Sequence, residues 1–407
     1  MKYLQKLING FIVCLMASSL YSEKLTIIWE KEFGDDPNLS YIAHEGVYTD
    51  GMLNLIGYSY ESQKHATGTY WFWAVADSGD ILVQDLLCAV SCGRPSTIGF
   101  GSWRTKGLKV DQGSLYCAGK FGTSDSSLAH YKMFNKMFNY NPIQPTPLKT
   151  FNDMEKGYVE TILRMVNLSK NNFLLIGYDT NSKSFAKKTD VSGNALWHQV
   201  YGKGTISFLA DALEIGNSLI LLECYTDGDP VKKPYEGYQC RLIRCDSEGN
   251  ILSEKTFAGG GAFPNKYPEL RKIDASRYLV SYDMESLPNR ANFSAAAYSD
   301  TLELLWQRTI YNGEVRVPMY GHVMPLTSGG FISVYSAMSH DEAAMNLKVH
   351  LYSETGEMSG SLTLQNYIAI DDFLLVGSEK TLYVVALSGP EDDTYRVKVK
   401  ICAIAIE

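Results

Sequence analysis

No basic tract interrupts this sequence. Its 407 residues hold 37 lysines and arginines against 45 acids, a net charge of −8, and a chain that neutralises nucleic-acid phosphates needs the opposite balance. Nucleic acid is therefore excluded as a partner. Past the N-terminus no apolar run approaches the roughly 18 residues of a spanning helix, so no membrane span is expected. The seven histidines are scattered without His-x-His or His-Glu-x-x-His spacing, and no Cys-x-x-Cys occurs, so no metal site is expected. A Gly-x-Ser-x-Gly elbow and a Gly-x-x-x-x-Gly-Lys-Ser/Thr loop are also missing, which removes support for serine hydrolases and nucleotidases. Gly259-Gly260-Gly261 has no helix after it to hold a phosphate and reads as a loop. Asp35-Asp36 and Asp227-Gly228-Asp229 lack the alternating oxygens of a calcium loop and read as turns.

What is present is apolar and aromatic: 45% hydrophobic residues, with 27 Tyr, 16 Phe and 6 Trp, enough for a core and too much for a disordered chain. Lys2 and Lys6 precede the apolar run Leu7 to Ala17, and small residues follow at Ala17, Ser18 and Ser19. That order is a secretory signal peptide, assigned to residues 1–22, with a mature chain of 23–407 that is secreted, periplasmic or extracellular. Processing removes two lysines and no acids, leaving −10. Seven cysteines remain, at 88, 92, 117, 224, 240, 245 and 402, too few for a disulfide scaffold. Cys224 ends one strand and Cys240 begins the next strand of the same hairpin, so this pair is expected as a disulfide, with Cys88 and Cys92 next. Asn38, Asn167 and Asn292 head glycosylation sequons, relevant where the host glycosylates.

The chain repeats itself. Lys188 to Trp197 reads strand, polar turn, strand, and the pattern recurs at 76–82, 245–252, 299–306 and 353–358. Gly79, Gly193, Gly249, Leu302 and Gly356 stand at equivalent places, 114, 56, 53 and 54 residues apart, the first gap spanning two periods whose midpoint falls at Asn135-Lys136. Asp or Ser before Gly is turn chemistry: the oxygen closes the turn on the backbone and Gly accepts positive φ. Within a unit a Trp or aromatic strand follows the turn, then a half-polar strand, an apolar third strand and a fourth strand. The third strands are Leu53–Tyr58, Phe173–Tyr178, Leu219–Tyr225, Tyr278–Tyr282, Phe331–Tyr335 and Phe373–Gly377. Four antiparallel strands per period predict an all-β, seven-bladed β-propeller in one domain. Leu25 to Phe33 is expected to complete the last blade as its outer strand, so that pairing of the N- and C-terminal strands closes the ring.

The unit Asp190-x-x-Gly193-Asn194-x-Leu196-Trp197-x-x-x-Tyr201-Gly202, with Phe173 to Tyr178 in the same spirit, resembles the blades of secreted bacterial β-propeller repeat proteins. It also resembles those of pyrroloquinoline-quinone-type propellers. The resemblance implies packing rather than chemistry. Quinoproteins of that class have eight blades and adjacent cysteines beside the cofactor, whereas this chain has seven units and no Cys-Cys pair, so no cofactor is expected.

Innermost strands line a propeller's channel, where ligands commonly sit. Aligning the units on the third strand puts one polar residue per blade at about the same height: His44, Lys106, Arg164, Asp211, Glu269, His322 and Gln365. The expectation is a monomeric ring that acts as a binding or scaffold module for a protein or glycan ligand through its loops and channel mouth. The alternative is a channel-centred glycoside hydrolase or lyase using Asp211 and Glu269 with His322.

Overall fold

A computed structural model describes residues 24–34, 36, 38–61, 67–91, 107–111, 114–120, 126–132, 146–150, 152–153, 158–228, 237–261, 268–283, 290–314, 321–337, 345–367, 373–378, 380–389 and 397–407. The expected signal peptide, Lys106 and Cys92 lie outside the described residues.

β1 (Leu25–Phe33) precedes a sheet of β2 (Leu39–Thr49), β3 (Met52–Glu61), β4 (Thr67–Ala76) and β5 (Ile81–Ser91). The next sheet holds β6 (Leu108–Asp111), β7 (Ser114–Lys120), β8 (Ser126–Lys132) and β9 (Thr146–Thr150). A five-stranded sheet follows, of β10 (Asn152–Asp153), β11 (Tyr158–Asn167), β12 (Phe173–Asp179), β13 (Ser184–Thr189) and β14 (Ala195–Val200). Then come β15 (Ile206–Ile215), β16 (Ser218–Thr226), β17 (Tyr238–Cys245) and β18 (Ile251–Gly261), and after them β19 (Glu269–Lys272), β20 (Arg277–Asp283), β21 (Arg290–Ser299) and β22 (Leu304–Glu314). β23 (Gly321–Pro325), β24 (Phe331–Ala337), β25 (Met345–Tyr352) and β26 (Met358–Tyr367) form another sheet. β27 (Leu374–Gly377), β28 (Thr381–Ser388) and β29 (Lys398–Ile406) take β1 as their fourth strand.

This is an all-β propeller of four-stranded antiparallel blades. Six sheets have the expected four strands; the remaining one gains β10, whose Asn152 pairs with Val159 at the start of β11. Neighbouring sheets touch in sequence: β2 on β6, β7 on β11, β11 on β15, β15 on β19, β19 on β23, β23 on β27, and β27 on β2. β1 runs antiparallel to β29 from Leu25 opposite Ile406 to Phe33 opposite Val399. Lys24 and Glu407 extend the ladder, exchanging N–H···O bonds of 2.7 and 3.0 Å.

One expectation for strand placement needs correction. Phe373–Gly377 was expected as a third strand; Leu374–Gly377 is instead β27, the innermost strand of its sheet, and the following apolar run becomes β28. The turn expected at Asn135-Lys136 lies outside the described residues, and the outer strand of that sheet is β9.

The repeat motif builds both the turn and the joint between blades. Asp190 Oδ1 accepts the N–H groups of Ser192 and Asn194 at 2.9 and 2.8 Å, and Asp246 does the same for Glu248 and Asn250 at 3.0 and 2.8 Å. Ser299 and Ser353 perform that task with a hydroxyl, each taking an N–H at 3.1 Å, from Glu303 and Glu357. The turn's peptide oxygens then accept from the outer strand of the preceding sheet. Trp29 Nε1 reaches Asp77 O at 2.5 Å, Trp197 Nε1 reaches Ser247 O at 2.9 Å, Lys255 Nζ reaches Leu302 O at 3.2 Å, and Arg308 Nη2 reaches Thr355 O at 3.2 Å. Gly249 has φ +84°, and a Cβ there would stand 3.1 Å from the Trp197 ring, so glycine serves both the turn and the close approach. Leu302 takes the equivalent place at φ 67°. Its side chain is buried beside Tyr278 and Tyr298, which offsets a left-handed strain of about 1–2 kcal/mol.

Both faces of a blade are covered, so its middle strands are apolar on consecutive residues. Leu53, Leu55, Trp71 and Trp73 pack against Tyr383, Val399 and Ile401 of the last sheet, while Ile56, Phe72 and Ala74 pack against Leu108, Leu115 and Cys117 of the next. Trp71 and Trp73 stack at 3.9 Å between centroids. Each such ring contributes about 1.5–3 kcal/mol by burial.

Candidate functional site: a charged cluster on the ring axis

A bulge sets which side chain of an inner strand faces the channel. In β2 the register steps from Ala43 opposite Gly57 to Glu45 opposite Ile56, skipping His44. In β11 it steps from Ile162 opposite Gly177 to Arg164 opposite Ile176, and in β15 from Leu209 opposite Glu223 to Asp211 opposite Leu222. The extra residue re-aims the one after it, making Glu45, Arg164 and Asp211 equivalent. The residue at ring height in β2 is therefore Glu45, and the expected His44 is the bulge residue beside it. Gly57 and Gly177 lie opposite the bulge because a Cβ would fall 2.2 Å from Ile42 O or 1.9 Å from Thr161 O.

Arg164 Nη1 is 3.0 Å from Asp211 Oδ2 and 3.9 Å from Glu269 Oε1. β11 and β19 belong to sheets separated by that of β15 to β18, so the contact to Glu269 passes over the inner strand of the intervening sheet rather than across a joint between adjacent blades. Glu269 Oε2 also meets Arg271 Nη2 at 3.3 Å and His322 Nδ1 at 3.0 Å. Asp211 is fixed further, its Oδ2 accepting Leu270 N–H and its Oδ1 accepting Ala212 N–H, both at 2.8 Å. The structure thus brings together Arg164, Asp211, Glu269 and His322 of the expected ring.

The cluster is layered. The Arg164 and Arg271 side chains are 22% and 32% exposed, those of Asp211, Glu269 and His322 only 3%, 9% and 4%. Glu45 is partly open, and its Oε1 accepts Gly46 N–H at 3.3 Å. Burial pushes the Glu45 carboxyl above the usual range; Arg164 and Arg271 oppose this, and Glu269 adds to it. Burial likewise raises Asp211, against the opposing pull of Arg164 and the Leu270 N–H. An acid raised in this way keeps its proton to a higher pH than a free carboxyl does.

Gln365 is not in the cluster. It sits on β26, the outermost strand, where its carbonyl accepts Lys400 Nζ at 3.2 Å; its unit had been read one strand out of phase. Lys106 lies outside the described residues. Sequence reasoning missed Glu45 and Arg271. Glycine in Ile56-Gly57-Tyr58 signals the bulge that selects Glu45, and Arg271 shares a strand face with Glu269, two residues away. Among the described residues no group of three or more His, Cys, Asp or Glu is placed to hold a metal. Cys224 and Cys240 stand directly opposite, with Sγ atoms 3.5 Å apart and both buried; they are thiols at this distance, since an S–S bond spans about 2.05 Å.

No protein-family model matches the sequence, and no curated protein matches it. Among solved structures the chain is similar to a puromycin hydrolase, with a TM-score of 0.48, 12% identity, and coverage of 87% of this chain and 52% of that one. It is similar to an acylaminoacyl peptidase of Pyrococcus horikoshii, with a TM-score of 0.48, 8% identity, and coverage of 85% and 49%. It is also similar to the α-L-arabinofuranosidase Arb93A of Fusarium graminearum, with a TM-score of 0.46, 10% identity, and coverage of 76% and 94%. The chain spans about half the length of the first two.

Proposed function

We propose that this chain is an exported binding module akin to the secreted bacterial repeat propellers, its sheets forming one monomeric seven-bladed ring closed through β1 and β29. Its channel mouth and loops would contact a protein or glycan. The observation that carries this reading is the convergence of partly exposed Arg164 and Arg271 on Glu269, with Glu45 near enough to feel both charges, since ligand sites are built from a few convergent polar groups. Calorimetric titration of the mature protein against glycan and peptide panels tests it, with the Arg271→Gln variant in parallel. A ligand lost in that variant is expected; ligands bound equally by both proteins would move the site off the channel. Export predicts a mature N-terminus near residue 23, read by mass spectrometry of secreted protein.

The catalytic alternative rests on Glu45. Asp211 and Glu269 touch one guanidinium nitrogen, which keeps their oxygens no more than about 7 Å apart, under the upper limit of the roughly 5–9.5 Å of paired-carboxylate glycosidases. Both are buried and already engaged, and this leaves Glu45 as the proton donor of such a reading. Glycan turnover lost in Glu45→Gln, with folding intact, would favour the enzyme. An oxidising compartment would also join Cys224 to Cys240, two electrons and two protons passing to a thiol–disulfide oxidoreductase while the chain folds. Non-reducing mass spectrometry should find neither thiol alkylated; finding both alkylated discards the bond.

A further inference from the structure

We infer that the rim formed by the starts of β18, β22 and β26 is a docking surface for a segment of another protein in which lysines or arginines alternate with aliphatic residues. It lies on outer strands rather than on the inner strands that carry the charged cluster, and it does not rest on the channel reading.

These outer strands begin where a repeat turn ends, and there they show apolar side chains to solvent. Ile251, Leu252, Leu304, Leu305 and Met358 are between 41% and 60% exposed. A single exposed aliphatic residue is ordinary, but the same place filled in successive blades makes a band. The three starts are joined in order around the rim: Lys255 of β18 reaches Leu302 O in the turn before β22, and Arg308 of β22 reaches Thr355 O in the turn before β26. Each turn also carries an exposed glutamate, Glu248, Glu303 or Glu357. Carboxylate and apolar side chains therefore alternate along the band.

The charges choose the partner. Lys255 and Arg308, the two cations of these strands, are spent on turn carbonyls, and Arg277 nearby is held by Asp274 and Glu354. Among the described residues Glu248, Glu303 and Glu357 meet no cation at ion-pair distance. Exposed apolar pairs recur elsewhere on the ring, but the acids beside them are already answered. Next to Ile81 and Leu82, Asp77 takes the hydroxyls of Tyr48 and Tyr383 and Asp80 pairs with Lys31 at 3.1 Å; next to Ile27 and Ile28, Glu30 meets Lys400 and Glu32 faces Lys398. A second copy of this chain would bring glutamates against glutamates, and an anionic lipid surface would be repelled in the same way. Cations flanked by aliphatic side chains satisfy both halves of the band. Charge then sets the encounter rate and the choice of partner, and apolar cover supplies affinity.

The test is fluorescence anisotropy with a labelled twelve-residue peptide of repeated Lys-Leu-Lys-Val, beside repeats of Lys-Ser-Lys-Ser and of Glu-Leu-Glu-Val. The first is expected to bind, and the other two at least about tenfold more weakly. Leu304→Ser with Leu305→Ser, and separately Glu303→Gln with Glu357→Gln, should each weaken the first peptide by about tenfold. Leu82→Ser should leave it unchanged. These side chains are exposed, and thermal melting checks that each variant keeps the wild-type fold. Arg271→Gln should also leave binding unchanged; a loss there would put the peptide at the inner strands and overturn the rim while leaving the channel reading standing. Equal binding of the Lys-Ser peptide would leave only non-specific attraction and overturns the proposal, as does binding unaffected by the rim variants or no binding of the first peptide. Self-association in sedimentation that the Leu304→Ser, Leu305→Ser variant loses, or capture by phosphatidylglycerol vesicles through the same residues, would give the rim another occupant and overturns it too.

Discussion

At the scale of the residue, two positions separated by one bulge decide what the channel displays. Gly57 is compatible with the bulge because nothing projects toward Ile42 O and Trp71. Gly57→Ala should destabilise the fold by more than about 3 kcal/mol in denaturant melts, since backbone on one side cannot yield as a flexible side chain would. Glu45→Gln should act the other way. A carboxyl whose folded pKa is raised costs stability once pH exceeds its unfolded value, and the full cost is present above the folded value. The variant should therefore melt higher than the wild type near pH 8, and the difference should vanish at a pH below the ordinary carboxylate range; an equal difference at both would show that the folded pKa of Glu45 is not raised. Sequence alone placed the polar ring to within one residue in β2. It named His44, because strand alternation carries no mark of a bulge and the residue across from it varies, glycine at 57 and 177 but Glu223 opposite the bulge of β15, whereas Arg164, Asp211, Glu269 and His322 were legible from third-strand alignment. Gln365 was lost because the apolar run Phe373 to Gly377 looks the same whether it is a middle or an innermost strand, and only pairing distinguishes them.

At the scale of the element, the turn motif was legible because it is local: an acid or hydroxyl, two N–H groups and a positive-φ residue lie within five positions of one another. Asp246→Ala should cost about 1–2 kcal/mol by analogy with the loss of a cap, measured as a fall in the denaturation midpoint. Trp197→Phe removes one hydrogen bond to Ser247 O but keeps most of the ring, and should cost about 1 kcal/mol. β1 is a heavier commitment. It covers β29 along nine residues and places Trp29 over the turn of the first blade. Deleting residues 25–33 should abolish cooperative unfolding in calorimetry; a truncated chain that still melts sharply would show that β29 tolerates an open edge.

At the scale of the whole molecule, the sequence period and the structural blade differ in phase. A repeat read along the chain starts at the turn and outer strand of one blade and ends with the third strand of the next, while the hydrogen-bonded sheet runs from inner to outer strand. The slightly acidic composition, a net charge of −8 over the full sequence, favours solubility and names no partner. The proposed recognition falls instead to the inner strands, where sheets far apart in the chain meet, and no local pattern could have shown Arg164 reaching Glu269. The hand-over from outer strand to following turn, by Trp29, Trp197, Lys255 and Arg308, gives the ring a direction. A gene duplication or loss of one repeat would cut between a giver and a taker of the same kind as those it rejoins. Recombination at these turns would therefore change the number of blades, and with it the width of the axis, without leaving an exposed edge to repair.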